Sequence, residues 1–143
     1  MFMQRLHLAS DHAGFALKNV LAKNLGEDLE IIDMGAYSEE SCDYPVYAKK
    51  LCEAVAKEKG LGILICGTGI GMSIIANRHA GIRAALCTSE LQASLSRRHN
   101  NANVLCLGAR ITGEELALAI AKAFLAGEFE GGRHQRRLDM IDK

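Results

Sequence analysis

The stretch that decides the fold is residues 61–73, LGILICGTGIGMS. It opens with a buried-type apolar run, Leu61 to Cys66, continues through a turn that holds three glycines, and then takes up a helical pattern. A strand followed by a turn and a helix is the repeating unit of a parallel sheet whose strands are joined by crossover helices.

The same rhythm continues on both sides of this stretch. Two groups of apolar residues recur at helical spacing and are expected to face a sheet: Leu17, Val20, Leu21 and Leu25, and then Leu116, Ile120 and Phe124 beside Ala117, Ala121 and Leu125. Short apolar runs alternate with these helices: Leu6 to Ala9, Glu30 to Asp33, Arg83 to Cys87 and Val104 to Leu107. We therefore predict an α/β fold, an open, doubly wound sheet of five parallel strands with helices on both faces, of the Rossmann-like or flavodoxin-like kind.

Helix starts are marked by three local signals. Ser89 with Gln92 and Thr112 with Glu115 both match the capping-box pattern, in which each side chain bonds a free backbone amide. Pro45 is expected to open the second helix, because proline tolerates the first helical turn.

Composition excludes several classes of protein. The chain of 143 residues is expected to be one domain over 1–143, and its 17 Lys and Arg balance 17 Asp and Glu, which argues against disorder and against nucleic-acid binding. No window approaches the roughly 20 apolar residues of a membrane span, and no signal peptide is expected. Five cysteines without a C-x-x-C pair favour a reduced, cytoplasmic protein over a zinc site or a redox dithiol.

The glycine-rich turn at residues 67–71 predicts an anion site. Ligands of open α/β sheets bind outside the carboxyl ends of the strands, and glycines there let backbone amides converge on a negative charge. Three known loop signatures do not match this turn, because each requires a different residue where the chain has Met72. The dinucleotide fingerprint and the phosphate-binding P-loop require glycine there, and the thiol phosphatase loop requires arginine. What remains is Cys66 beside an amide cradle, a setting that favours a functional thiolate over a buried structural thiol.

Other residues fall at the same edge of the predicted sheet. Asp11 and His12 end the first strand, where Asp11 is as readily a helix cap as a catalytic group. Arg110 follows the fifth strand and is a candidate anion ligand. His99 ends a helix in a basic run that is explained by the helix dipole alone.

A polar, Gly-rich and basic tail from about residue 127 to Arg137 is too polar to be core. If a helix begins in this tail, Arg133 and Arg137 lie on one helical face, and Arg136 lies off it. Two guanidinium groups on one face can bind a phosphate through paired hydrogen bonds. Structural roles are expected for His7 and His79, and for the apolar-run cysteines Cys52, Cys87 and Cys106. Cys42 lies in a polar loop with nothing nearby to activate it.

Taken together, these motifs resemble the type B ribose-5-phosphate isomerases, which are related to galactose-6-phosphate isomerase subunits. The resemblance covers nearly the whole chain and rests on seven ordered landmarks: Ser10-Asp11-His12-Ala13-Gly14, Asp43-Tyr44-Pro45, Cys66-Gly67-Thr68-Gly69-Ile70-Gly71, Gly81-Ile82-Arg83-Ala84, Arg98-His99-Asn100, Gly108-Ala109-Arg110 and Glu130-Gly131-Gly132-Arg133-His134.

The resemblance implies an aldose–ketose isomerase of the pentose phosphate pathway that uses neither metal nor cofactor. Cys66 would move a proton between C2 and C1 of the opened sugar through a cis-enediolate, and Thr68 would move a proton between O1 and O2. The resemblance further implies that the amides of Gly67, Thr68, Gly69, Ile70 and Gly71 hold the enediolate oxygen, that His99 and Asp11 open the ring, that His12, Arg110, Arg133 and Arg137 bind the phosphate, and that Tyr44 and Asn100 contact the sugar.

The family likeness also implies a homodimer with its site at the interface, and it leaves open whether two dimers pair into a tetramer. His99, Arg133 and Arg137 would then reach the Cys66 of a partner chain. Two alternatives stay open: isomerisation of a 6-phosphohexose such as allose 6-phosphate or galactose 6-phosphate, and, more remotely, a non-catalytic receiver-like signalling domain. A receiver should carry an acceptor Asp after its third strand and a Lys after its fifth, where this chain has Cys66 and Gly108-Ala109-Arg110.

Overall fold

A computed structural model describes residues 3–142 of the chain. The chain alternates strands and helices from end to end: β1 Gln4–Ser10, α1 Phe15–Asn24, β2 Leu29–Asp33, α2 Tyr44–Glu58, β3 Leu61–Cys66, α3 Ile70–Ala76, β4 Ala84–Leu86, α4 Glu90–Asn100, β5 Val104–Gly108, α5 Glu114–Ala126 and α6 Arg133–Leu138. The five predicted strands are confirmed, with ends displaced by two residues at most. No helix in this described part is long and apolar enough to cross a membrane.

The strands form one parallel sheet in the order β2-β1-β3-β5-β4. From β1 the chain builds outward to β2 on one side and to β3 on the other, so the crevice between β1 and β3 is the switch point where such sheets bind ligands. Register places Ser10 beside Ile65 and Cys66 beside Gly108, which brings the ends of β1, β3 and β5 to one edge.

Two apolar clusters fill the space between the sheet and its helices. Leu21 of α1 and Phe124 of α5 belong to the cluster on one face, whereas Leu51 of α2 and Met72 of α3 belong to the other. Because helices cover both faces, β3 and β5 are buried at every position, which explains their uninterrupted apolar sequences. The doubly wound prediction is confirmed. Within the α5 stripe, Leu116 is an exception, since it is 42% exposed while Ala117 and Ile120 take the inward positions.

The helix-start predictions had mixed outcomes. Ser89 caps α4, because its hydroxyl accepts the Gln92 amide at 3.1 Å, and Pro45 is the second residue of α2. The Thr112 capping box is wrong: Gly113 precedes α5 without a side-chain cap. Thr112 is buried in the turn after β5, where its own N–H donates to the Gly108 carbonyl at 2.9 Å.

Candidate functional site

Cys66 lies at the carboxyl end of β3, with its side chain almost fully buried. Its sulfur accepts a hydrogen bond from the backbone N–H of Gly69, with 3.1 Å between nitrogen and sulfur. An amide that donates to a sulfur stabilises negative charge on it. The loop folds back so that one of its own backbone N–H groups is placed where it would stabilise negative charge on the Cys66 sulfur.

The other buried cysteines lack such support. Burial raises the pKa of Cys52 to about 12 and that of Cys87 to about 11, and burial also holds the pKa of Cys106 well above its ordinary value. These three remain thiols at neutral pH, as the sequence interpretation predicts. Cys42 is less isolated than expected, because its sulfur lies 3.9 Å from Nδ1 of His12.

Glycines are required in the loop after Cys66 because neighbouring groups approach it closely. Gly69 adopts φ +81°, and a Cβ there would lie 2.5 Å from a methyl carbon of Leu86. A Cβ on Gly71 would lie 2.6 Å from the ring of Tyr44, so the tyrosine rests directly on the loop. The structure thus places Tyr44 at the mouth of the Cys66 site, half exposed.

The turn after β5 packs against the loop at residues 66–71. Backbone N–H groups of Ala109 and Arg110 donate to the carbonyls of Cys66 and Gly67, each at 2.9 Å. A Cβ on Gly67 would lie 3.1 Å from Nη1 of Arg110, which places the guanidinium over the loop while the residue stays exposed. A cation therefore stands beside the amide cradle.

Asp11 and His12 close the other side of the site. The Asp11 N–H donates to the Ile65 carbonyl at 3.1 Å, and its buried carboxylate accepts the Gly14 N–H at 3.0 Å. Asp11 therefore holds the turn before α1 and is not the N-cap itself, because the N-cap of α1 is Gly14, without a side-chain cap bond. Nδ1 of His12 accepts the Cys42 N–H at 3.2 Å, so a neutral His12 carries its proton on Nε2. That N–H is available as a donor to a ligand.

A second group of predicted residues gathers elsewhere, around α4 and α6. The ring of His99 stacks on that of His134, with centroids 4.4 Å apart and planes 12° from parallel. Glu130, which precedes α6, is bound to α4, because its carboxylate accepts Arg98 Nε at 2.8 Å and its N–H donates to the Arg98 carbonyl at 3.0 Å. Arg133 and Arg137 belong to α6, one turn apart as predicted, and Asn100 is the last residue of α4.

The two groups are not joined within one chain. Across residues 3–142, no hydrogen bond, ion pair or ring stack links His99, Asn100, Arg133 or Arg137 to the loop at residues 66–71. The predicted site residues therefore lie in two separate groups, which we term half-sites, one around Cys66 and one around His99.

Comparison with known proteins identifies the family. The profile described as Ribose/Galactose Isomerase matches residues 6–141, which is nearly the whole chain. This chain belongs to that family. It is 49% identical over 141 residues to ribose-5-phosphate isomerase B of Escherichia coli, covering 97% of this chain and 95% of the relative.

Solved structures agree with this family assignment. A ribose 5-phosphate isomerase from Thermotoga maritima superposes with a TM-score of 0.95 at 51% identity, covering 99% of each chain. Ribose-5-phosphate isomerase B from Mycoplasma genitalium, solved with bound ribulose 5-phosphate, superposes with a TM-score of 0.94 at 42% identity, covering 99% of this chain and 95% of that one.

Sequence reasoning does not single out three residues to which the structure gives notable contacts, namely Lys18, Glu130 and His134. Lys18 is completely buried, and its ammonium donates to Asp33 Oδ1 and to the Ala36 carbonyl, each at 2.6 Å, which ties down the segment after β2. Its only sequence signal is a lysine inside the apolar stripe of α1. Glu130 and His134 enter the sequence prediction only as part of a landmark. The expectation that the tail is too polar to be core is wrong at His134, which is buried.

Proposed function

We propose that the chain interconverts D-ribose 5-phosphate and D-ribulose 5-phosphate. The observation that carries the proposal is the Gly69 N–H donating to the Cys66 sulfur at the switch point of the sheet, in a chain that shares its family with ribose-5-phosphate isomerases. A thiolate at this position serves as a base, and the surrounding donors serve the oxygens and the phosphate of the sugar.

The reaction is balanced without an oxidant. The Cys66 thiolate takes the proton from C2 of the open aldose, the C–H electrons form a C1–C2 double bond, and the C1 carbonyl oxygen takes the negative charge. The thiol then returns a proton to C1 while the O2 proton passes to O1 by way of Thr68. Proton transfer by a positioned group of this kind accelerates a reaction by roughly 100-fold to 10,000-fold.

Hydrogen bonding inside the loop narrows the set of oxyanion donors. The Gly69 N–H donates to Cys66, and the Ile70 N–H donates to the Thr68 hydroxyl at 3.2 Å. The N–H groups of Gly67, Thr68 and Gly71 have no acceptor within residues 3–142. We assign the enediolate oxygen to these three, where one preorganised donor contributes about 3–4 kcal/mol to transition-state stabilisation.

We assign phosphate binding to the cationic groups of both half-sites. His12 offers its Nε2–H, and Arg110 lies over Gly67. Arg133 and Arg137 present two guanidinium groups on one turn of α6, and guanidinium groups bind phosphate through paired, charge-assisted hydrogen bonds. Tyr44 and Asn100 are assigned to the sugar, and Asp11 and His99 to ring opening.

A complete site requires two chains in this proposal. The half-site around His99 makes no bond with the half-site around Cys66 in one chain, so the tail from residue 127 is assigned to a partner's Cys66 across a homodimer. A two-fold interface gives two equivalent sites, each with Cys66 from one subunit and His99, Asn100, Arg133 and Arg137 from the other.

A second candidate substrate is a 6-phosphohexose, because the matching family is described by both ribose and galactose. An added hydroxymethylene moves the phosphate away from C1 and C2. The ratio of kcat/KM on the pentose and hexose phosphates measures which length the two half-sites accommodate.

We also assign the protein to a reducing compartment, the cytoplasm. All five cysteines are free, including Cys42, which is partly exposed. An oxidised Cys66 could not act as a base, so activity that survives oxidising conditions without a reductant would contradict this assignment.

Isomerisation in deuterium oxide tests the mechanism directly. The enzyme is incubated with D-ribose 5-phosphate, and deuterium at C1 of the ketose is measured by NMR. Incorporation is expected with the wild-type chain and absent with Cys66→Ala. Ketose formed without deuterium would exclude a solvent-exchangeable base.

A further inference from the structure

Three metal-ligand side chains lie together outside the Cys66 loop. Ligand atoms of His99, Glu130 and His134 all lie within 4.8 Å of one another. Oε1 of Glu130 is 3.7 Å from Nε2 of His134 and 3.9 Å from Nε2 of His99. Both distances exceed a hydrogen bond, so the carboxylate oxygen faces two imidazole nitrogens without bonding to either.

His134 supplies an independent sign that the cluster receives a ligand. Its side chain is 8% exposed, and its buried Nε2 has no hydrogen-bond partner among the residues described. Buried polar atoms are normally satisfied, so an unpartnered one that faces two potential ligands requires an explanation.

We propose that His99, Glu130 and His134 form a binding site for a borderline transition-metal dication, with Zn²⁺ as the probe. Two histidines and one glutamate are a known zinc ligand set that leaves the fourth position open. At metal–ligand distances of about 2.0–2.1 Å, neighbouring ligands of a tetrahedral zinc lie about 3.4 Å apart. The distances of 3.7 and 3.9 Å from Glu130 therefore have to shorten by a few tenths of an ångström. The ligand nitrogens of the two histidines, which lie within 4.8 Å of each other, have to approach by up to about 1.4 Å.

One rearrangement is needed to bring the lone pairs together. The two rings are nearly parallel, so their nitrogens do not yet aim at one point. His99 is the ring that moves, because its side chain is 35% exposed whereas that of His134 is enclosed. Arg98 already binds the other oxygen of Glu130, which leaves Oε1 as the single carboxylate ligand.

Binding the metal has a functional consequence that rests on the proposed function. Zinc would occupy Nε2 of His99 and withdraw this residue from ring opening at the partner's Cys66. Reversible inhibition by Zn²⁺, relieved by a chelator, follows. Cys66 is itself a thiol and binds zinc in principle, so the test has to separate the two sites.

The separating experiment is a Zn²⁺ titration by calorimetry on chelator-treated Cys66→Ser protein. One zinc per chain is expected. His134→Phe, which retains an aromatic ring against His99, and Glu130→Gln should each weaken binding at least about tenfold in the same background. His79→Phe, which changes a histidine outside the cluster, should leave the affinity unchanged.

Cobalt provides a second readout. Co²⁺ bound to the Cys66→Ser protein should show visible d–d bands without the near-ultraviolet absorption of a cobalt–thiolate bond. An affinity that is unaffected by both His134→Phe and Glu130→Gln in chains with wild-type thermal unfolding would overturn the proposal, as would thiolate absorption that points to Cys42. Neither titration measures isomerisation, so a failure here leaves the proposed reaction standing, and an inactive wild-type enzyme leaves the metal result interpretable.

Discussion

The backbone N–H of Gly69 donates to the sulfur of Cys66 across 3.1 Å. Position 69 requires glycine, because its φ is +81° and a Cβ there would collide with Leu86. The bond spans three residues of sequence, so the same short loop that carries the proposed base also donates a hydrogen bond to its sulfur. The placement of this loop depends on its neighbours: Leu86 of β4 and Leu107 of β5 both approach Gly69.

Replacing Gly69 with alanine should disrupt the base without removing it. A side chain at φ +81° is strained, and its Cβ would lie 2.5 Å from Leu86 and 3.0 Å from the Leu107 carbonyl carbon. We expect a loss of roughly 1–3 kcal/mol in stability and a large fall in kcat. Gly113→Ala is the control, since nothing lies within 4 Å of its Cβ position. Urea unfolding and steady-state kinetics measure both effects, and a Gly69→Ala enzyme with normal kcat would contradict the role of the loop.

Replacing Cys66 with alanine should lower kcat at least about a hundredfold, the minimum contribution of a positioned base. Stability should change little more than in Cys106→Ala, which removes another buried thiol from the sheet. Cys106→Ala should retain activity, because burial keeps the pKa of that thiol high and it has no part in the proposed chemistry. A coupled assay for ribulose 5-phosphate measures the kcat of both variants. Substantial turnover by Cys66→Ala would show that another group is the base.

Arg137→Ala should raise KM roughly tenfold to a hundredfold, which corresponds to the loss of one charge-assisted hydrogen bond of about 1.5–3 kcal/mol. The value of kcat should fall less if the phosphate contact is equal in the ground and transition states. Arg136→Ala removes the same charge from the adjacent position of α6 and should leave KM near its wild-type value. If both substitutions raised KM equally, Arg137 would act only through the net charge of α6 and not through a direct bond to the phosphate.

Mixing two inactive variants tests the shared site. If Cys66 and His99 come from different subunits, co-expressed Cys66→Ala and His99→Asn chains form heterodimers with one intact site. Random pairing should restore about a quarter of wild-type activity, because half of the dimers are mixed and each carries one good site of two. Activity no greater than the sum of the two separate variants would mean that each chain uses its own His99.

Lys18→Met should destabilise the fold by about 1–3 kcal/mol, because it removes two hydrogen bonds from a charged donor and leaves the Ala36 carbonyl without its partner. Asp33 is 40% exposed and regains water, which limits the loss. Lys23→Met, on the exposed side of the same helix, should change stability by no more than about 0.5 kcal/mol. Urea unfolding compares the two variants.

Local patterns predicted that several candidate residues lie at one edge of the sheet, and the structure confirms this placement. Cys66, Asp11 and Arg110 were placed by one rule, that parallel strands end at the same edge, and this rule needs only the strand boundaries. The Thr112 capping box failed because the turn after β5 had already engaged that residue through Gly108. A sequence does not reveal that the N–H groups of Gly69 and Ile70 donate within their own loop, so the set of oxyanion donors that we propose is narrower than the predicted one.

Short-range periodicity therefore determined the five strands, the helices between them and the position of Cys66 at the end of an apolar run. Tertiary structure alone decided the strand order, the burial of Lys18 against Asp33, the stacking of His99 on His134 and the separation into two half-sites. The reason is physical. Strand and helix periods are properties of neighbouring residues, whereas these contacts join groups from 15 to 35 positions apart, and only the packing of the completed chain brings such groups together.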